Sequence, residues 1–174
     1  MLARRAQLHF AGDDVIVFSR NGNDVTRRFG QVAAAVAGLR AKSVVIDAEL
    51  VACDADGNLN FYAMMGGAKH GCCAWCFDLL ELNGHDLRSE PLDSRRERLR
   101  QLLIAANNQE LRFSGDLHDP IKLLDAADRM GLEGIVSKRR DQHYRSGKNP
   151  GWVKVKTTAW RAANRDRWEM FAPK

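Results

Sequence analysis

"GLEGIVSKRRDQHYRSGKNPGWVKVK", Gly131 to Lys156, opens with one carboxylate, Glu133, at the head of an apolar run and then crowds cations together. Two β-type runs, "EGIVSKR" and "WVKVK", flank the turn-forming loop "DQHYRSGKNPG". In a strand, side chains alternate between faces. The first run therefore puts Glu133, Ile135 and Ser137 on one face, and the second aligns Trp152, Lys154 and Lys156. Lysines in a row on a strand occupy positions where apolar residues could pack, and they need a reason.

The elements before this stretch repeat the mixture of strands and helices. "AQLHF" and "VIVFSR" across "AGDD" read as a hairpin, and the chain starts in the middle of a sheet. "FGQVAAAVAGL" places Val32, Ala35, Val36 and Leu39 on one helical face. "SVVIDAELVA" is a strand closed by the turn "DADG". Asp47, Glu49 and Val51 share one of its faces. "CCAWCFDLLEL" is another strand, ending at the turn "NGHD". Ser94 and Glu97 fit a capping box ahead of the stripe Leu99, Leu102, Leu103 and Ala106. Asp119 and Pro120 start a further helix with Leu123, Leu124, Ala127 and Met130 inward and Gly131 as its stop. Trp160, Ala163 and Arg167 have the spacing of a terminal helix. Strands joined by hairpins, with helices between, predict an α+β domain with antiparallel sheets and packed helices.

The totals narrow the function. The 174 residues suit one domain of ordinary apolar content. No apolar run reaches the ~20 residues of a membrane-spanning helix, and "MLARRAQLHF" is not a secretory signal, so a cytoplasmic protein is expected, without a membrane partner. Gly131 to Lys174 holds eleven Lys and Arg against four Asp and Glu, a larger excess than the +5 of the whole chain. Such a concentration suits polyphosphate or nucleic acid, or a solvated basic face. "GCCAWCF" contains a C-x-x-C, but no second pair lies at zinc-ligand spacing. Cys53, Cys72, Cys73 and Cys76 therefore read as small residues of a buried strand, kept reduced. Three strands that each align charge suggest a charged cleft: ammonium groups for phosphates, carboxylates for metal or ribose, and an aromatic for a base.

In order and spacing, "SRNG", "DAEL", "FDLL", "EGIVSK" and "WVKVK" resemble the motif series of the covalent nucleotidyltransferases, most closely the adenylation domain of bacterial ATP-dependent DNA ligases of the end-joining kind. The resemblance implies an α+β nucleotidyltransferase fold (ATP-grasp-like) over residues 1–158, with 159–174 a helical tail. It implies adenylyl transfer and nick sealing, with ATP and a divalent metal (Mg or Mn) as cofactors. Nicked or broken double-stranded DNA is the partner, with other end-joining proteins as further ones. Carried over by position, Arg5 would bind the nucleotide, Arg20 would meet the nucleotide ribose or the DNA backbone, and Glu49 ribose or metal. Phe77 would stack on adenine, Glu133 would hold the metal, and Lys138 would line the same cleft. Lys154 and Lys156 would contact the α-phosphate, and Tyr144, Arg145 and Lys148 would face nucleic-acid phosphates.

Two departures matter. The family's nucleophile is a lysine in K-x-D-G-x-R. Arg5 matches the motif's arginine, Leu2 and Ala3 stand where aspartate and glycine belong, and the lysine would fall before Met1. Eighteen residues follow Lys156, too few for the oligonucleotide-binding-fold domain that ligases carry next. Ala48 stands where the family has glycine. A chain incomplete as a ligase is expected. The alternatives are a degenerate module that binds nucleotide or nicked DNA, and an RNA ligase or capping-type transferase.

Overall fold

The computed structural model describes residues 3–53, 71–116, 119–129, 131–147 and 151–165. The turn "DADG", Met130, Lys148 and Arg167 lie outside them. The chain divides into two compact units, one of residues 1–115 with 141–144 and the other of residues 116–140 with 145–174.

In the first unit, β1 (Ala3–Ala11) and β2 (Asp14–Ser19) form the expected hairpin, Ala11 facing Asp14 across Gly12 and Asp13. Gly12 has φ 63°, where a side chain would be strained. α1 (Gly30–Ala37) follows, then β3 (Ser43–Cys53) and β4 (Gly71–Leu82). β5 (His85–Asp86) turns back on β4 through Asn83 and Gly84, both left-handed at φ 53° and 84°. His85 and Asp86, expected in the turn, therefore pair with Leu82 and Glu81. α2 (Leu92–Ala106) and β6 (Leu111–Phe113) complete the unit. Among the described residues the sheet runs β2-β1-β3-β4-β5 in antiparallel sense, and β6 joins β4 in parallel.

One face of this sheet is the core. Ala6, Leu8, Val17, Ile46, Ala48, Leu50, Ala74, Cys76 and Leu79 bury against Val32, Ala35 and Val36 of α1 and Leu99, Leu102 and Leu103 of α2. Those stripes are the ones helical periodicity predicts. The capping box is not formed. α2 begins directly after Pro91, whose φ of −57° suits a helix start and moves the N-cap three residues earlier than Ser94, so Ser94 lies inside the first turn. The Glu97 carboxylate instead accepts bonds from Arg100 and Gln101.

The cysteines also depart from expectation. Strand alternation places Cys72 and Cys76 toward the core and Cys73 on the other side with Val51 and Trp75, where Cys73 is disulfide-bonded. Cys72 and Cys76 are free thiols, and burial pushes them up to about 11 and about 12. At pH 8 both are thus almost wholly protonated, and a thiol reagent such as Ellman's is expected to label neither quickly until denaturant is added. Rapid labelling of Cys76 in the native protein would contradict its burial.

In the second unit, α3 (Pro120–Arg129) is capped by Asp119, whose Oδ1 accepts from the Ile121 and Lys122 amides at 3.1 and 3.0 Å. Gly131, at φ 67°, stops it. β7 (Gly134–Lys138) and β8 (Trp152–Lys156) pair antiparallel, and α4 (Thr158–Ala163) follows. Thr157 is buried at the centre: it donates from N and Oγ1 to the Glu133 and Leu132 carbonyls and caps α4 by accepting from the Trp160 amide.

Gly134 makes this hairpin possible. Its φ is 155°, and a Cβ there would lie 2.0 Å from the Val155 carbonyl oxygen. Gly134→Ala is expected to destabilise the unit by about 1–3 kcal/mol through backbone strain. The check is the melting temperature together with the Lys156 amide resonance, and an unchanged pair of values would refute the close approach.

Candidate nucleotide and phosphate sites

The face of the first sheet opposite the core carries the charged residues, and the strand register lines them up. Arg5 stands across from Glu49, which stands across from Trp75, and in the next row Gln7 stands across from Asp47. Asp47 is fully buried, and its Oδ2 accepts from Arg5 Nη2 at 2.6 Å. Burial disfavours the Arg5 cation, but the Asp47 charge and hydrogen bond more than offset this, with Tyr144 and Glu49 adding to them, so its pKa is raised. Among the described residues, Asp47 Oδ1 is buried with no hydrogen-bond partner. A bound molecule with a hydroxyl or amino donor would satisfy it. His9 lies on the same face, edge-on to Phe18, and burial lowers its pKa so that it is neutral at pH 7.

Phe77 belongs to this group through an irregularity. Ala48 pairs with Cys76 and Asp47 with Asp78, which leaves Phe77 as an extra residue on β4. A bulge of this kind re-aims a side chain. The half-buried ring lies 5.9 Å from the Arg5 guanidinium. Tyr144 is in the same unit: its amide donates to the Arg88 carbonyl, its hydroxyl accepts from Gln7 Nε2 at 3.4 Å, and Arg95 lies over its ring. Arg20 is exposed one residue beyond Ser19, which faces Ala6, at the Arg5 end of the sheet.

The second unit gathers Glu133, Lys154 and Lys156. Glu133 Oε1 lies 2.8 Å from Lys154 Nζ and 3.8 Å from Lys156 Nζ. The register sharpens the face assignment. Lys154 and Lys156 stand across from Val136 and Gly134, so they share a face with Val136 and Lys138 rather than with Ile135 and Ser137. Glu133 precedes β7 and reaches them because Gly134 breaks the alternation. Both ends of the row meet tryptophan, with Lys138 Nζ 4.2 Å above Trp152 and Lys156 Nζ 3.8 Å above Trp160. Arg145 is exposed in this unit.

Among the described residues, no three His, Cys, Asp or Glu gather as a metal cage. A part-exposed Glu133 beside two lysine ammonium groups is nonetheless a donor set suited to Mg²⁺, which takes one or two carboxylates and completes its shell from substrate phosphates and water.

Sequence reasoning missed Asp78, Arg95, Arg96 and Thr157, all buried. The signal for the arginines was present. Arg95 and Arg96 fall on the same helical stripe as Leu99, Leu102 and Leu103, and their charge led away from the core.

The ATP dependent DNA ligase domain family matches residues 3–156 of the chain. The multifunctional non-homologous end joining protein LigD of Pseudomonas aeruginosa is 38% identical over 147 residues, which are 82% of this chain and 18% of that protein. The ligase domain of Mycobacterium tuberculosis LigD is 31% identical, with a TM-score of 0.72, over 88% of this chain and 51% of that one. A mycobacterial DNA ligase D complexed with ATP and MES is 30% identical, with a TM-score of 0.70 over the same shares. The chain thus spans about half of the solved ligase domains it resembles. No helix among the described residues is long and apolar enough to cross a membrane. Motif series, register and relatives converge on one conclusion: the chain belongs to the ATP-dependent DNA ligase domain family.

Proposed function

We propose that this chain carries the nucleotide- and phosphate-handling part of an ATP-dependent DNA ligase and acts in adenylyl transfer and in sealing nicks in double-stranded DNA. The observation that carries the reading is Glu133 held by Lys154 and Lys156, a carboxylate and two ammonium groups on one short hairpin. In the first unit, Phe77 stacks on the base, Glu49 serves the ribose or the metal, Arg5 contacts the nucleotide, and Arg20 serves the ribose or the DNA backbone. In the second, Lys154 and Lys156 offset charge on the α-phosphate, Lys138 supports them, and Arg145 and Lys148 meet DNA phosphates. Tyr144, held by Gln7 and Arg95, reads better as part of the nucleotide face than as a DNA contact.

In the sealing step, the 3′-hydroxyl oxygen forms a bond to the 5′-phosphorus, the bond from that phosphorus to the AMP oxygen breaks, and AMP leaves with the electron pair. The hydroxyl proton passes to solvent. Lys154 and Lys156 stabilise the charge that builds on the phosphate oxygens and on departing AMP. When bound, Mg²⁺ or Mn²⁺ at Glu133 would draw further charge from those oxygens.

None of the lysines within these 174 residues sits in a K-x-D-G motif. With α-labelled ATP, the 174-residue chain is therefore expected to bind nucleotide in a metal-dependent way and to leave no covalent AMP on the protein. A lysine–AMP adduct would refute this assignment of the nucleophile. Failure to bind both ATP and nicked DNA would refute the reading as a whole. Retained binding with no turnover of adenylated DNA would favour a degenerate binding module.

A further inference from the structure

Arg96 lies on the inward face of α2 and is only 9% exposed, a costly place for a cation unless its donors are used. They are used on main chain. Nη1 donates to the Phe77 carbonyl at 3.0 Å and Nη2 to the Ser114 carbonyl at 2.6 Å, while the guanidinium lies 4.9 Å from the Phe113 ring centroid. Phe77 is the extra residue of the β4 bulge, out of step with its β3 neighbours. On the other side of β4, the pairing with β6 ends at Cys76 and Phe113, with a last bond from the Ser114 amide to the Cys76 carbonyl. Arg96 therefore bonds one residue past the end of that ladder, to carbonyls on both strands. Beside it, Arg95 holds the next residue, Asp78, through Nε at 2.8 Å and Nη2 at 3.0 Å.

We infer that Arg96 is a positioning residue for the Phe77 ring: by fixing the bulged carbonyl from α2 it sets where the ring stands beside Arg5, and so tunes recognition of the nucleobase rather than of the phosphates. Lysine cannot replace it, since one ammonium lacks the planar fork that spans two carbonyls. The inference rests on the proposed role of Phe77 as the base platform, and the experiment separates the two.

Binding of ATP and of base-free inorganic tripolyphosphate is measured on the full 174-residue chain for wild type, Phe77→Ala, Arg96→Lys, Arg96→Gln and the double variants, with folding checked by thermal melting. Base stacking on an aromatic sets the scale at about tenfold or more for Phe77→Ala. Arg96→Lys is expected to weaken ATP about three- to tenfold, to leave tripolyphosphate unchanged, and to add nothing once Phe77 is alanine. Equal losses for both ligands, or full additivity with Phe77→Ala, would overturn the inference. If wild type binds no ATP, the nucleotide reading fails, and the ¹⁹F resonance of 4-fluorophenylalanine at position 77 decides this one. A shifted or broadened line in Arg96→Lys, or in Arg96→Gln if the lysine variant does not fold, supports it, and an unmoved line refutes it.

Discussion

Lys154→Met should slow the sealing of a nick that already carries AMP by about 10²–10³-fold, the usual loss when one group that stabilises transition-state charge is removed. Methionine keeps much of the apolar stem, so the loss measures the ammonium. Lys154 is the closer of the two lysines to Glu133 and is 46% exposed, which leaves it accessible to a bound phosphate. Its pair with Glu133 is screened by solvent and contributes little to stability, so the melting temperature should barely move. The measurement is a single-turnover gel assay with 5′-adenylated nicked duplex, with Glu133→Gln run in parallel. The glutamine variant should need more Mg²⁺ to reach half its maximal rate. If Lys154→Met merely weakens DNA binding and flattens its salt dependence, Lys154 is a backbone contact and not a group of the reacting phosphate.

Arg95→Met should have the largest effect on stability. Arg95 is 2% exposed and Asp78 is fully buried, and the pair is completed by bonds from Arg95 to the carbonyls of Glu90 and Gln142. Removing the cation leaves a carboxylate in the core with no counter-charge, at a cost of about 3–5 kcal/mol. For a chain of this size the thermal midpoint should fall by roughly 6–20 °C. Arg100→Ala, which breaks the exposed, solvent-screened pair with Glu97, should leave the midpoint almost unmoved. Replacing both partners, as Arg95→Met with Asp78→Leu, should recover much of the loss, because neither partner is then left as an uncompensated buried charge. Melting curves of the three variants test the set, and an Arg95→Met midpoint equal to that of Arg100→Ala would contradict it.

Alternation and helical spacing made most of the elements legible, because β1 to β4, α1 and α2 bury the apolar faces their patterns announce, while of the described α3 positions only Ala127 is buried. The motif residues were legible as motifs, yet their neighbours were not. That Glu133 meets Lys154 and Lys156 follows from the β7–β8 register and from Gly134, and neither is visible in a one-dimensional pattern of charge. Phe77 stands out of step because β4 is bulged, which alternation cannot express. The burial of Arg95 and Arg96 was not legible, because burial of a cation depends on partners far along the chain: Asp78, and the carbonyls of Phe77 and Ser114. The same limit hid the bonded state of Cys73, which the C-x-x-C spacing does not announce.

The most direct test is to give the wild-type chain, in excess and without ATP, a nicked duplex whose 5′ end already carries AMP. With Mg²⁺ present, sealed strand and free AMP should appear in equal amounts, and both should vanish with a chelator. If the chain binds the adenylated nick and leaves it unsealed at every metal concentration, Glu133, Lys154 and Lys156 are not the phosphate-handling groups proposed for them.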